Sequence, residues 1–253
     1  MTKSQSLERG LNVMELLNSS DRPLGPREIA RQMSLSPAIV QRLLNTLTEK
    51  HYVRRDAVTK RYSIGYQILG IGASLMTKDA MLLETQRELQ ALANQMRVDA
   101  YLAVLQDTKA IYLLCIQGPG PVSVRCDPGQ VILLHCSAIG KAILASFSDE
   151  EALKLLGTEP LPAVTPHTIT DPLALVASLA QTRATGYAYV VDENVPGITS
   201  VGALIGDPSG QTRSAISAAF SRHITPELSI EQVAHWVVEA AHRINSRLAV
   251  TGG

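Results

Sequence analysis

The 253-residue sequence lacks the punctuation of the common enzyme sites. No GxSxG, HExxH or P-loop pattern occurs in it, and no CxxC or HxxxH spacing offers a metal site. Its cysteines, Cys115, Cys126 and Cys136, are odd in number and sit in apolar or strand-like surroundings. That usage predicts free thiols in a reducing cytoplasm rather than a disulfide framework. No uninterrupted apolar run is long enough to span a bilayer. The first residues are polar, and Leu7, Leu11, Val13, Met14, Leu16 and Leu17 recur at helical spacing with Glu8, Arg9 and Glu15 between them. They predict an amphipathic helix and not a signal peptide. Internal repeats and low-complexity segments are missing too. These absences predict a cytoplasmic protein with no membrane partner, no metal, no cofactor and no catalytic residues.

Net charge is also absent: 23 Lys+Arg stand against 23 Asp+Glu, which taken whole argues against a nucleic-acid partner. The distribution reverses that conclusion. Residues 1–65 hold 11 Lys+Arg and 6 Asp+Glu, net +5, while residues 66–253 hold 12 and 17, net −5. The length allows two domains, and 45% hydrophobic content gives each a core.

The basic part contains a legible motif. Pro26 to Met33 reads as a short helix and Ser34-Leu35 as a tight turn. In a second helix, Ser36 is the N-cap and Pro37 the first residue. Val40, Leu43, Leu44 and Leu47 form its buried stripe. Ala38, Gln41, Arg42 and Asn45 share another face, of small and hydrogen-bonding side chains suited to a major groove: Arg pairs bidentately with guanine, Gln and Asn with adenine. A merely solvated face is the alternative, and the neighbouring helix tells against it. Tyr52 to Arg55 and Arg61 to Gly65 then read as a hairpin around a polar turn. Its Arg54, Arg55, Lys60 and Arg61, with Ser36, suit phosphates.

Beyond the hairpin, residues 66–76 predict a connecting helix and 81–96 another, together a candidate dimer seam or hinge. Strands are expected at 100–105, 111–116, 122–126, 187–191, 201–205 and 214–220, the last two flanking an Asp207-Pro208-Ser209-Gly210 turn. Helices are expected after Ser137, after the Ser148–Glu151 capping box, after Asp171-Pro172, and from Thr225-Pro226 onward. The order implies an α+β domain with an antiparallel sheet. Proposed boundaries are 1–65, 66–78 for the linker, and 79–253.

Four stretches in this order resemble the IclR family of bacterial transcription regulators: SLERGLNVMELL; LSPAIVQRLLNTL with YVRRD…RYSIG; HCSAIGKAILA; and GYAYVVDENVPGITSVGALIGDPSG. The resemblance implies a winged helix-turn-helix, a helical linker and a GAF-like α+β domain that binds a small effector. It also implies dimers or tetramers on palindromic double-stranded operator DNA. Carried over residue by residue, the effector pocket comprises Pro121, Val124, Ile132, Ala138, Ile139, Asp192, Ile198, Ser200, Ser217 and Ala219. Ser200 stands where relatives often carry Cys, and Ala219-Phe220 replaces a Ser-Gly ending, which implies a less polar or differently shaped ligand. The helix N-terminus near Ser137 suits the carboxylate of a small organic acid, aromatic acids among them.

Competing assignments attach to several of these residues. His135 beside Cys136 could suggest nucleophilic catalysis, but neighbours on an extended chain point apart, so a loop-positioning role is expected. Arg125 could add a charge-assisted contact to the ligand, although strand alternation would turn it away from Val124. Asp192 could equally be a turn aspartate bonding local N–H groups. Lys141 and Gly140 are expected to serve helix packing and solvation. The alternative overall is a metabolite-converting enzyme or sensor whose helix-turn-helix makes only protein contacts.

Overall fold

The structure, a computed structural model, describes residues 4–206 and 213–251, so the Asp207–Gly210 turn lies outside the described residues. The chain divides into two compact units, Met1–Lys78 and Asp79–Gly253.

In the first unit α1 (Gln5–Asn18), α2 (Pro26–Gln32) and α3 (Pro37–Glu49) precede a hairpin of β1 (Val53–Arg55) and β2 (Tyr62–Ile64), followed by α4 (Gln67–Lys78). Val13, Leu17, Ile29, Ala30, Val40, Leu44, Val53 and Tyr62 close one small core. The α2–α3 turn is tight because Ser34 takes a left-handed φ of 53° and Leu35 N–H returns to the Ala30 carbonyl. Pro37 opens α3 where its missing N–H costs nothing, and the Ser36 hydroxyl accepts from Ile39 N–H at 3.4 Å. At the hairpin tip the Asp56 carboxylate accepts from the N–H groups of Val58 and Thr59, which hold its pKa below the usual carboxylate range, Thr59 contributing most. Leu24 bridges Tyr62 through two backbone hydrogen bonds, tying the hairpin to the helices. No residue of α4 is buried.

The second unit is α+β. Its sheet runs β5 (Val131–Ile132), β4 (Lys109–Ile116), β3 (Asp99–Gln106), β8 (Arg213–Phe220), β7 (Thr199–Ile205), β6 (Ala188–Val191), with every neighbouring pair antiparallel. Alternation sorts the strand residues. Ala215, Ser217 and Ala219 of β8 face the layer of α6 (Ala138–Ala145), α7 (Asp149–Leu156) and α8 (Pro172–Thr185). Ser214 faces α5 (Ala80–Met96), its hydroxyl 3.6 Å from Met81 Sδ. α5 packs with α9 (Ile230–Thr251), whose Val233, Val237, Ala240, Ile244 and Leu248 form one buried stripe. Gly202 lets α6 start close to the sheet: a Cβ there would sit 2.8 Å from the backbone of Ala138.

Two sequence expectations fail. Residues 122–126 form no strand, because the Val124 N–H donates to Asp99 Oδ2 at 2.7 Å and its carbonyl accepts from the Tyr101 hydroxyl at 2.6 Å. Side chains thereby take the groups a ladder would need, and the short β5 pairs with β4 instead. The closing helix begins at Ile230, not at Thr225-Pro226. Ser229 and Gln232 make the reciprocal cap, whereas Thr225 is buried and its hydroxyl turns back to the Ser221 carbonyl.

Candidate functional site

Two places gather the residues singled out by sequence. On α3, Ala38, Arg42 and Asn45 are exposed and Gln41 is half-buried, all along one face. The Gln41 amide nitrogen donates to Asn45 Oδ1 at 2.8 Å and to the Tyr62 hydroxyl at 3.3 Å. Arg42 has no ion pair among the described residues, and its charge faces solvent.

The hairpin cations are not equivalent. Arg54 is held by Ser63 Oγ at 2.9 Å and by the Tyr66 hydroxyl at 2.8 Å, its guanidinium 5.0 Å from the Tyr66 ring centroid. Arg61 donates to the Pro23 carbonyl and pairs with Glu28 at 3.4 Å. Glu28 also binds Arg22, the main cause of its lowered pKa. Arg55 lies over the Tyr62 ring and Lys60 sits at the exposed tip, neither ion-paired among the described residues.

In the second unit a cavity of about 270 Å³ opens between the sheet, the start of α6 and the loop after β6. Eight of the ten expected pocket residues line it: Val124, Ile132, Ala138, Ile139, Ile198, Ser200, Ser217 and Ala219. Pro121 and Asp192 do not. Pro121 is exposed in the preceding loop. Asp192 is a turn residue at φ 58°, whose carboxylate accepts from Gly197 N–H at 2.6 Å, and it faces a separate open groove with Arg222 and His223.

Sequence reasoning missed Tyr101, Tyr112, Gln130 and Asn194 on the wall. Tyr101 and Tyr112, ring centroids 5.5 Å apart, were legible as hydroxyl-bearing residues in otherwise apolar strands. Burial raises the pKa of both, so the hydroxyls stay neutral. Arg125 also lines the cavity, since the segment carrying it is no strand and alternation does not turn it away. Among the described residues it is the single cation on a wall that holds no Asp or Glu.

At the mouth of α6, Ser137 caps the helix by accepting from Gly140 N–H at 3.1 Å, while Ala138 and Ile139 face the cavity. An eight-residue helix therefore directs the positive end of its dipole at the space. Lys141 is not solvated, against expectation. Its ammonium lies 2.6 and 2.7 Å from the Glu193 carboxylate oxygens, and both residues are buried. Thr165 and Thr168 hydroxyls donate to the Asp192 and Glu193 carbonyls at 2.6 and 2.7 Å. The loop that supplies Asn194, Val195 and Ile198 is thus fixed from behind.

Residues 74–246 match the family model for the bacterial transcriptional regulator IclR C-terminal domain, and residues 6–57 match that for the IclR helix-turn-helix domain. The chain belongs to the IclR family of bacterial transcription regulators. It is 28% identical over 245 residues to the HTH-type transcriptional regulator BhcR of Paracoccus denitrificans, covering 97% of this chain and 88% of that one. An IclR transcriptional regulator from Alicyclobacillus acidocaldarius superposes with a TM-score of 0.85 at 25% identity, covering 100% of both chains. An IclR homologue from Microbacterium hydrocarbonoxydans, solved with 4-hydroxybenzoate, gives 0.83 at 22% identity over 97% of this chain and 100% of that one.

In this IclR-family regulator His135 and Cys136 form no catalytic pair. His135 Nε2 lies 2.9 Å from the Pro162 carbonyl, and Cys136 Sγ contacts Asn194 Oδ1 at 3.7 Å. Burial pushes the Cys136 thiol up to about 11, away from the thiolate a nucleophile needs. Among the described residues no helix is long and apolar enough to cross a membrane.

Proposed function

We propose that this regulator binds a small organic acid in the cavity of its second unit and reads operator DNA with the exposed face of α3. The observation that carries the first part is the wall itself: among the described residues, one cation, no acidic side chain, a helix N-terminus, and several neutral hydroxyl and amide groups among apolar ones. Such a site prefers an anion with an apolar body. A dry cavity of about 150 Å³ takes a benzene ring, so about 270 Å³ suits a single substituted ring or a short chain. The Microbacterium relative's 4-hydroxybenzoate is of that class.

Ala38, Gln41, Arg42 and Asn45 enter the major groove, and Ser36 with Arg55 and Lys60 hold phosphates. Arg54 and Arg61 contribute less, being bound to neighbours. The exposed apolar residues of α4, Leu69, Ile71 and Leu75, support self-association as a dimer or tetramer, which matches a palindromic operator with half-sites about 34 Å or a multiple apart. The ligand acts by binding unequally to two placements of the DNA-reading heads, since only a differential affinity shifts an equilibrium. His135 and Cys136, each engaged with a different partner, support a role without turnover.

A thermal-shift screen of aromatic and aliphatic carboxylates tests the ligand class, because a molecule bound only by the folded state raises Tm. A hit recovered chemically unchanged that alters affinity for a duplex selected from a random library supports the proposal. Conversion of the hit to product would replace it with the enzyme reading.

A further inference from the structure

The hydrogen-bond chain on α3 is more specific than a row of groove-facing side chains. A Gln side chain has two amide hydrogens to give. Both are spent, one on Asn45 Oδ1 and one on the Tyr62 hydroxyl. Tyr62 itself is only 2% exposed, packed in the core with its register fixed by Arg55 across the hairpin and by Leu24 on the other side. It is held too firmly, and lies too deep, to touch a base.

We infer that Tyr62, Gln41 and Asn45 form a relay in which Asn45 alone reads the base and the other two fix its amide. Asn45 Oδ1 must face Gln41 to accept, which turns Asn45 Nδ2 outward as the leading donor while Oδ1 keeps a second lone pair. An outward donor beside an acceptor matches the N7 and N6 edge of adenine. Gln41, its donors consumed, is a positioning residue rather than a second reader. Tyr62 belongs to the hairpin, so hairpin geometry sets the reading of one base position without a hairpin residue reaching it.

The inference rests on α3 being the DNA-reading helix, and the test separates the two. Full-length wild type, Tyr62→Phe, Gln41→Ala and Asn45→Ala are each used to select from the same random duplex library, and the enriched motifs are compared position by position. Tyr62→Phe keeps the buried ring and removes only the hydroxyl. The expected result is that all three variants relax the same single position, Tyr62→Phe by about three- to tenfold, the factor one net hydrogen bond is worth. The other positions and the salt slope stay as in wild type, which a general loss of structure would not allow. Relaxation of a different position by Gln41→Ala would make Gln41 a reader and overturn the relay. So would an unchanged motif for Tyr62→Phe or Asn45→Ala, while leaving α3 as the reading helix. If wild type enriches no motif, the assignment of α3 fails, and the relay with it.

Discussion

Lys141 and Glu193, 52 residues apart in sequence, meet as a buried ion pair with both carboxylate oxygens within 2.7 Å of the ammonium. One partner belongs to the helix whose N-terminus faces the cavity, the other to the loop that supplies Asn194, Val195 and Ile198 to its wall. The pair thereby joins two sides of the site through groups that do not line it.

Removing one charge leaves the other buried and unpaired. Lys141→Met should therefore cost about 3–5 kcal/mol in urea denaturation, and a Lys141→Met/Glu193→Met double variant should recover most of it. A single-variant loss under about 1 kcal/mol would mean that water reaches Glu193 and that the pair does not fix the loop.

On the face of α3 proposed to read DNA, base contacts and phosphate contacts separate by salt dependence. Arg42→Ala should cost about 1–3 kcal/mol on the selected duplex and relax preference at one position. Lys60→Ala should weaken all sequences alike and lower the salt slope by about one. Arg61→Ala should change the slope less than Lys60→Ala, because Glu28 already pairs with it. A salt series of mobility shifts resolves all three.

Arg125→Gln should weaken benzoate binding by roughly tenfold, the value of one charge-assisted contact at about 1.5 kcal/mol or slightly more, while leaving binding of uncharged phenol unchanged. Calorimetric titration of both ligands checks this. Equal losses for the two would assign Arg125 to packing instead of charge.

Burial raises the Cys115 thiol to about 12 and the Cys136 thiol to about 11, from an ordinary 9. At neutral pH both folded and unfolded chains hold these protons. As pH rises past 9, the unfolded chain loses them first, so folding stability should fall progressively between about pH 9 and 12. Near pH 8 alkylation of the native Cys136 thiol, which is buried, should be slow and should accelerate on unfolding. Rapid labelling of Cys136 in the native protein would contradict the burial.

Much of the architecture needs only local rules. Ser36-Pro37 starts α3, the Ser148–Glu151 box starts α7 and Asp171-Pro172 starts α8, because a cap is satisfied within three residues of itself. The charge split, the helix face at Ala38, Gln41, Arg42 and Asn45, and eight positions on the cavity wall were equally legible, the last through family motifs. What sequence misjudged depends on partners far along the chain. Residues 122–126 look like a strand until the buried Asp99 carboxylate and the Tyr101 hydroxyl take the Val124 backbone groups, and once the strand is gone Arg125 turns to the cavity. Lys141 looks solvated until Glu193 arrives from the loop after β6. For Asp192 sequence leaves pocket ligand and turn aspartate open, and its φ of 58° with the bond from Gly197 N–H decides for the turn. Propensity and periodicity act over a few residues and set the elements; desolvation of a polar group is settled by whatever the fold brings beside it, and only the tertiary structure decides that.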